Sequence, residues 1–428
     1  MAPSAKSVED QPVPKRGWLR PLCATVLAPA AVYFVLHCLA YRAMQSRGWF
    51  DSWEYTTRGD RRLGFRLRPS VSNNFSGVVV HTNADGFRSP SSSSHALPKA
   101  PGESLVVIAG DSTTFGVLTP YELTYAALLE QQLRRTLGRP VRVLNLGVPG
   151  YSLEQTVATV EDWAHLRPDV VIVTVNGLND RVFVGRADSP QMLARDYRVL
   201  RPYEFGNLIS YPLLYWYERT HKQSNLPALP DLARGIPVPR VPLDRYQTLL
   251  EQLARSAKQR GTRLILLSTG DPLDSPLARE GLGALNVGHW DEALSAFERM
   301  HAARPALFLP AFYAYHCALE LRRWDQAAAI RGRYEAAYRA LRDPYLTSFS
   351  YFASEYAPVL ESVASRAQVT LLDFQDQFQR SDYFRELGHF GPPGHAAVAE
   401  GLTPLVAAML ADPSTPDPRH ATGQSEAR

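Results

Sequence analysis

Cysteine is scarce in this chain, three residues in 428. Cys23 and Cys38 share one apolar segment and Cys317 falls in a predicted helix. No disulfide framework can therefore staple the fold, and cysteine usage says nothing about compartment. No lipid-attachment pattern of small residues precedes Cys23. Excess charge is also lacking. The formal net charge is +4, and no basic cluster is interleaved with aromatics, so nucleic acid is not an expected partner. The 11 histidines include no metal-binding pair with carboxylate or cysteine neighbours at useful spacing, so neither metal nor other cofactor is expected. Residues 22–41 lack Asp, Glu, Lys and Arg. At helical rise they span about 30 Å, a hydrocarbon core. Lys15, Arg16 and Arg20 precede this run, and the positive-inside bias puts them in the cytoplasm; Arg42 and Arg47 weaken the bias without reversing it. The reading is a single-pass anchor in the inner (cytoplasmic) membrane, with the rest of the chain periplasmic or extracellular. A cleaved signal peptide is the alternative, but the run is long for one and Cys38-Leu-Ala40 is a poor cleavage site. A buried helix of a soluble domain is the third choice.

What is present starts with Leu105-Val-Val-Ile-Ala-Gly110-Asp111-Ser112. The apolar, β-branched run predicts a buried strand, and the serine stands where that strand stops. Open α/β sheets bind ligands at their carboxyl edges, and a hydroxyl mounted there can be activated as a nucleophile. Three further blocks follow in order. Arg142-Val-Leu-Asn145-Leu-Gly147-Val-Pro-Gly150 is a strand running into a glycine-rich loop. Asp169-Val-Val-Ile-Val-Thr-Val175 is a strand followed by Asn176-Gly177-Leu178-Asn179-Asp180. Glu386-Leu-Gly-His389 leads, through Phe390 to His395, into a helical run from Ala396 to Leu410.

With these four blocks the chain resembles the SGNH (GDSL-type) hydrolases, in the manner of membrane-anchored bacterial members. The resemblance implies a flavodoxin-like three-layer α/β/α sandwich with a five-stranded parallel sheet, and serine esterase or acyl transferase activity. Ester cleavage needs a nucleophile, a base and donors aimed at the developing oxyanion. Ser112 is the candidate nucleophile, and His389, set in a loop just before the last helix, the candidate base. The resemblance implies an oxyanion hole built from the Ser112 amide, the Gly150 amide and the Asn179 side chain. Asp111 and Asp180 read as loop-holding residues, and His395 as a surface or packing residue. One position departs from the family pattern: Glu386 stands three residues before the histidine, where the family usually has aspartate. Glu386 is the candidate orienter of His389, Asp382 is its rival, and some family members work as a dyad.

The chain divides by pattern into residues 1–21, a cytoplasmic tail; 22–41, the anchor; 45–100, an extension and linker; 101–275, the first part of the hydrolase core; 276–345, a helical insertion; 346–411, the second part of the core; and 412–428, a disordered tail. Predicted helices cover 121–137, 153–166 and 243–260, with strands at 263–268 and 369–373. Residues 181–242, rich in proline and aromatics, either wall the cleft or pack as a surface excursion. In the second insertion Gly288-His-Trp290-Asp-Glu-Ala293 is echoed by Arg322-Arg-Trp324-Asp-Gln-Ala327. The offset resembles the period of tetratricopeptide (TPR) helix pairs. It predicts helices near 277–287, 291–303, 311–321 and 324–341, serving either a protein partner or as a buttress.

Three functions follow: a membrane-anchored serine ester hydrolase acting through an acyl-Ser112 intermediate on an ester-bearing small molecule, glycan or lipid; an O-acyltransferase modifying an envelope polysaccharide, which differs only in the acceptor; and a non-catalytic TPR-bearing scaffold, for which the retained Ser, Gly, Asn and His set would be superfluous.

Overall fold

Every residue of the strand Ser104–Ala109 is buried, as in parallel strands covered on both faces. The computed structural model describes residues 29–33, 35–36, 39, 57–75, 77–92, 99–175, 179–180, 188–189, 193, 239–269, 276–303, 305, 308–340, 356–374, 383–386 and 389–411. The expected tails 1–21 and 412–428, Asp382 and most of 181–242 lie outside them.

Two units are separated by their internal contacts. In the smaller one, residues 29–33, 35, 36 and 39 of the expected anchor are helical. Their large apolar side chains, Val32, Tyr33, Val35, Leu36 and Leu39, are exposed.

The larger unit begins with the antiparallel pair β1 (Thr57–Asp60) and β2 (Gly64–Leu67). Strands β3 (Ser72–Phe75), β4 (Val78–Thr82) and β5 (Arg88–Ser89) follow. The chain then alternates: β6 (Ser104–Ala109), α1 (Ser112–Phe115), α2 (Tyr125–Leu137), β7 (Val141–Asn145), α3 (Leu153–Asp162), β8 (Val170–Thr174), α4 (Leu243–Arg260) and β9 (Arg263–Ser268). Helices α5 (Pro276–Asn286), α6 (Trp290–Ala303), α7 (Phe308–Glu320) and α8 (Trp324–Ala340) come next. Helix α9 (Ala357–Ala367), β10 (Thr370–Asp373), the short pair β11 (Phe384–Glu386) and β12 (His389–Phe390), and α10 (Pro392–Ala411) complete the order.

The parallel strands lie in the order β7-β6-β8-β9-β10, the flavodoxin-like order. Alternate residues serve opposite faces. Leu105, Val107, Val171, Val173, Leu264 and Leu266 pack with α3, α4 and α9. Val106, Ile108, Val170, Ile172, Ile265 and Leu267 pack with α2 and α10. The sheet is larger than five strands and mixed. Strand β5 pairs antiparallel with β7 through Arg88 and Asn145, and β4 and β3 continue outward. The extension thus covers an edge that would otherwise present unpaired backbone groups. Strand β3, Ser-Asn-Asn-Phe, carries no apolar alternation and escapes a pattern-based reading.

Two helices are shorter than their patterns suggest. Thr124 caps α2, its Oγ1 accepting from Ala127 N (3.4 Å), after a separate 3-10 turn at Tyr121–Leu123. Helix α3 stops at Asp162, and a second 3-10 turn leads to Arg167 in the left-handed region (φ 51°). Helix α10 is long and apolar enough to cross a membrane, but Val398, Leu402, Val406 and Leu410 bury it against the sheet as a core helix. Helices α5 to α8 pack consecutively around Leu282, Phe297, Met300, Phe312 and Ile330, in a core of their own.

Candidate active site

The switch in strand order falls between β6 and β8, where an open α/β sheet forms its crevice. Ser112 follows β6 by three residues and is the first residue of α1. Asp111 caps that single turn: its Oδ1 accepts from Thr113 N (2.9 Å) and Thr113 Oγ1 (2.7 Å). Phe115, at the other end of the turn, is fully buried. The nucleophile candidate is therefore mounted on a short, pinned element, with Ser112 itself only 7% exposed.

The loop after β7 lies directly against this turn. Val148 N donates to Gly110 O (3.0 Å), and Asn145 Nδ2 donates to Thr114 O (2.8 Å). Gly147 must be glycine, because a Cβ there would collide with the backbone at Thr114 and Phe115. Gly150 ends the loop at φ 80°, a conformation that glycine adopts without strain. Asn179, beyond β8, donates from Nδ2 to Asp111 Oδ2 (3.1 Å). That bond uses one of two amide hydrogens. Its neighbour Asp180 is buried, and its Oδ1 accepts from Leu153 N (2.6 Å) at the start of α3. Burial pushes the Asp180 carboxyl up to about 7 against the pull of that backbone bond and of Arg240, and Asp111 and Asp188 push the same way as burial.

His389 is in a strand rather than the expected loop. Strands β11 and β12 are too short for any alternation to be read. Strand β12 packs on α1, and Thr119 Oγ1 donates to Phe390 O (3.3 Å). Residues 112 and 389 thus arrive at one edge of the sheet on touching elements. In the β11–β12 register Glu386 is paired with His389. The helix that starts at Ser112 and the strand that carries His389 are thus in contact, Asn179 is tied to Asp111 beside Ser112, and Gly150 ends the loop after β7.

His395 is fully buried, so it is a packing residue and not a surface one. Tyr125 N donates to its Nδ1 (3.3 Å), so its proton sits on Nε2. The ring stacks on Tyr125 (5.8 Å) and meets Phe390 edge-on (5.5 Å). Burial, with Arg88 and His389 nearby, pulls its pKa down to about 3.

Several residues at this edge carry no signal in the sequence. Arg88 is 2% exposed. Its guanidinium lies 4.8 Å from the Phe115 ring centroid, and Nη2 donates to Thr119 O (3.0 Å). Burial lowers its pKa to about 10, so it stays charged at neutral pH. Arg240 and Asp188 meet beside Gly150 (2.8 Å between Nη2 and Oδ2). Nothing local marks an arginine and an aspartate that far apart in the chain as partners.

Residues 108–397, more than half of the chain, match the GDSL-like Lipase/Acylhydrolase family. The chain belongs to that family. It is an ester-bond hydrolase by that membership, with the α/β fold described above. No curated protein matches the sequence. Solved structures with a similar course include an acetyl xylan esterase, AlAXEase (12% identity, covering 70% of this chain and 97% of that one, TM-score 0.34). TesA is another (14%, 72% and 99%, TM-score 0.35). A catalytic mutant of an acetylxylan esterase from Geobacillus stearothermophilus is a third (15%, 72% and 94%, TM-score 0.34). Superpositions this loose add nothing to the assignment, which rests on the family match. For a GDSL-like acylhydrolase, the crevice between β6 and β8 is the place to look for chemistry.

Proposed function

We propose that this GDSL-family hydrolase is a membrane-anchored serine esterase that cleaves an ester-linked acyl group from a carbohydrate or lipid through an acyl-Ser112 intermediate. His389 takes the Ser112 proton as Oγ attacks the ester carbonyl. The carbonyl π electrons move onto oxygen, and the Ser112 amide, the Gly150 amide and the second Asn179 amide hydrogen receive that oxyanion. The imidazolium then protonates the leaving alkoxide. Water, deprotonated by His389, repeats the sequence on the acyl-enzyme and releases the acid. Glu386 orients the imidazole; the pairing of Glu386 with His389 supports this role. The observation that carries the reading is the contact between the turn bearing Ser112 and the strand bearing His389, with Asn179 tied to Asp111 beside them.

The anchor reading draws on the exposed apolar side chains of Val32, Tyr33, Val35, Leu36 and Leu39, which favour lipid over water. The packed helices of residues 276–340 support a TPR-like insertion. A serine-reactive fluorophosphonate tests the central claim. Wild type should be labelled and Ser112→Ala should not; a folded wild type that stays unlabelled would sink the esterase mechanism.

A further inference from the structure

We infer that Arg240 and Asp188 form a positioning pair that holds the Gly150 amide, one of the two separate oxyanion donors, in working geometry, while the backbone of the adjoining Val241 braces the turn that carries Asn179, the other. The inference rests on the Ser112 reading of the site and deepens it.

Four N–H bonds of one guanidinium are engaged. Arg240 Nη1 donates to Gly150 O (2.8 Å). Nη2 donates to Gln155 Oε1 (2.9 Å) and to Asp188 Oδ2 (2.8 Å). Nε donates to the same Asp188 oxygen (3.1 Å). Asp188 Oδ2 also accepts from Ser152 Oγ (2.8 Å), and Asp188 N donates to Arg240 O (2.6 Å). Gln155 Oε1 accepts in turn from Ser152 N (3.0 Å), closing the cap of α3. The ion pair is mostly buried, the two side chains being 15% and 11% exposed.

The placement matters because of what Gly150 is. A glycine with φ 80° has no side chain to restrain rotation about its own bonds. Here the peptide plane that follows it is fixed at both edges: Tyr151 N donates to Val148 O (3.1 Å), and Gly150 O accepts from Arg240. Pinning that plane limits the freedom of the amide on the other side of the same Cα. The adjoining residue reaches the neighbour of the second donor. Val241 N donates to Asp180 O (2.9 Å), and Asp180 Oδ1 accepts from Leu153 N. Residues 240 and 241 therefore grip the Gly150 loop with a side chain and the Asn179 turn with the backbone. Oxyanion stabilisation depends on donors already aimed before charge develops, and small misplacements are costly. A planar fork serves three acceptors at once; a lysine ammonium cannot reproduce that geometry.

The test uses the full chain with p-nitrophenyl acetate as substrate. Two variants are needed. Arg240→Lys keeps the charge and loses the fork. The double variant Arg240→Met/Asp188→Asn removes both charges, so no unpaired ion is left buried. Both should lower kcat about 10- to 100-fold, a fraction of the loss of a whole donor, while KM changes less than about threefold. The lysine variant should retain more activity than the double one. Ser112-dependent turnover within twofold of wild type in both variants would overturn the positioning role alone. A KM rise with kcat held would overturn it too, assigning the pair to substrate binding. Wild-type turnover that survives Ser112→Ala would instead overturn the reading of the site, and the positioning role with it.

Discussion

The crevice edge and the helical lobe of residues 276–340 solve packing in opposite ways. The lobe interior is Ala, Leu, Ile, Phe, Tyr and Met, with Cys317 as a small buried thiol and His301 as a buried polar side chain. Its ion pairs, Arg323 with Asp291 and Arg333 with Glu298, lie on the exposed side, where such pairs contribute little. The crevice edge buries Asp111, Ser112, Thr113, Thr114, Asn145, Ser152, Gln155 and Asp180, plus the Arg88 guanidinium. Each needs a partner or costs stability. A fold that needed only a core would have built that edge like the lobe. The polar load is what the proposed chemistry at that edge requires, and the lobe offers a place where stability can be altered apart from it.

Four measurements sharpen that contrast, the largest effect first. Ser112→Ala should lower turnover by about ten-thousand-fold or more with little change in the melting temperature. A variant retaining a tenth of the activity would remove the crevice from the mechanism. Phe297→Ala should do the reverse. The ring is fully buried and stacks on Tyr313 at 5.1 Å, so its loss should cost the lobe about 3–5 kcal/mol. Urea unfolding reads that cost, and kcat of the folded fraction should stay at the wild-type value. A matching fall in kcat would show that the lobe is part of the working site. Asn179→Ala should lower kcat about 100-fold with KM nearly constant. An effect confined to KM would make Asn179 a binding residue and leave the oxyanion to the two backbone amides.

Some of this contrast was legible in the chain itself. The span of α4 follows from its amphipathic period and its stop at Gly261, which takes φ 67°. Strand β9 follows from an unbroken apolar run. The blocks around Ser112, Gly150 and Asn179 were visible because each comes directly after a strand of that kind. What escaped were features defined only by the fold. Arg88 belongs to an extension that read as separate from the core, yet β5 joins the same sheet and brings it under Phe115. Asp188 and Arg240 lie 52 positions apart, so no spacing rule pairs them. The β11–β12 pair is too short to leave a period. Local chemistry marks the candidate reacting groups, and only the fold brings together the residues around them.

The smallest effect separates two buried groups at the crevice edge whose titrations oppose each other. Asp180 has an ordinary carboxyl value of 3.8 when unfolded and about 7 when folded. Between those values the folded chain holds a proton that the unfolded chain has lost, so stability falls as pH rises to about 7. His395 shifts the other way, from 6.5 unfolded to about 3 folded. Between those values the unfolded chain holds the extra proton, so stability falls as pH drops. A tenfold change in proton affinity is worth roughly 1.4 kcal/mol. Each contribution is therefore on the order of a few kcal/mol, and over most of the range between pH 4 and 6.5 the two nearly cancel. Asp180→Asn keeps an oxygen for Leu153 N but removes one slope. The variant should therefore gain stability relative to wild type as pH rises from 4 to 7, and should lose stability more steeply than wild type on acidification below 6.5. Urea midpoints at pH 4, 5.5 and 7.5 measure both. Parallel curves for the two proteins would mean that the Asp180 carboxyl is already ionised in the folded chain, held by Arg240, and that the crevice tolerates one more buried charge than its packing indicates.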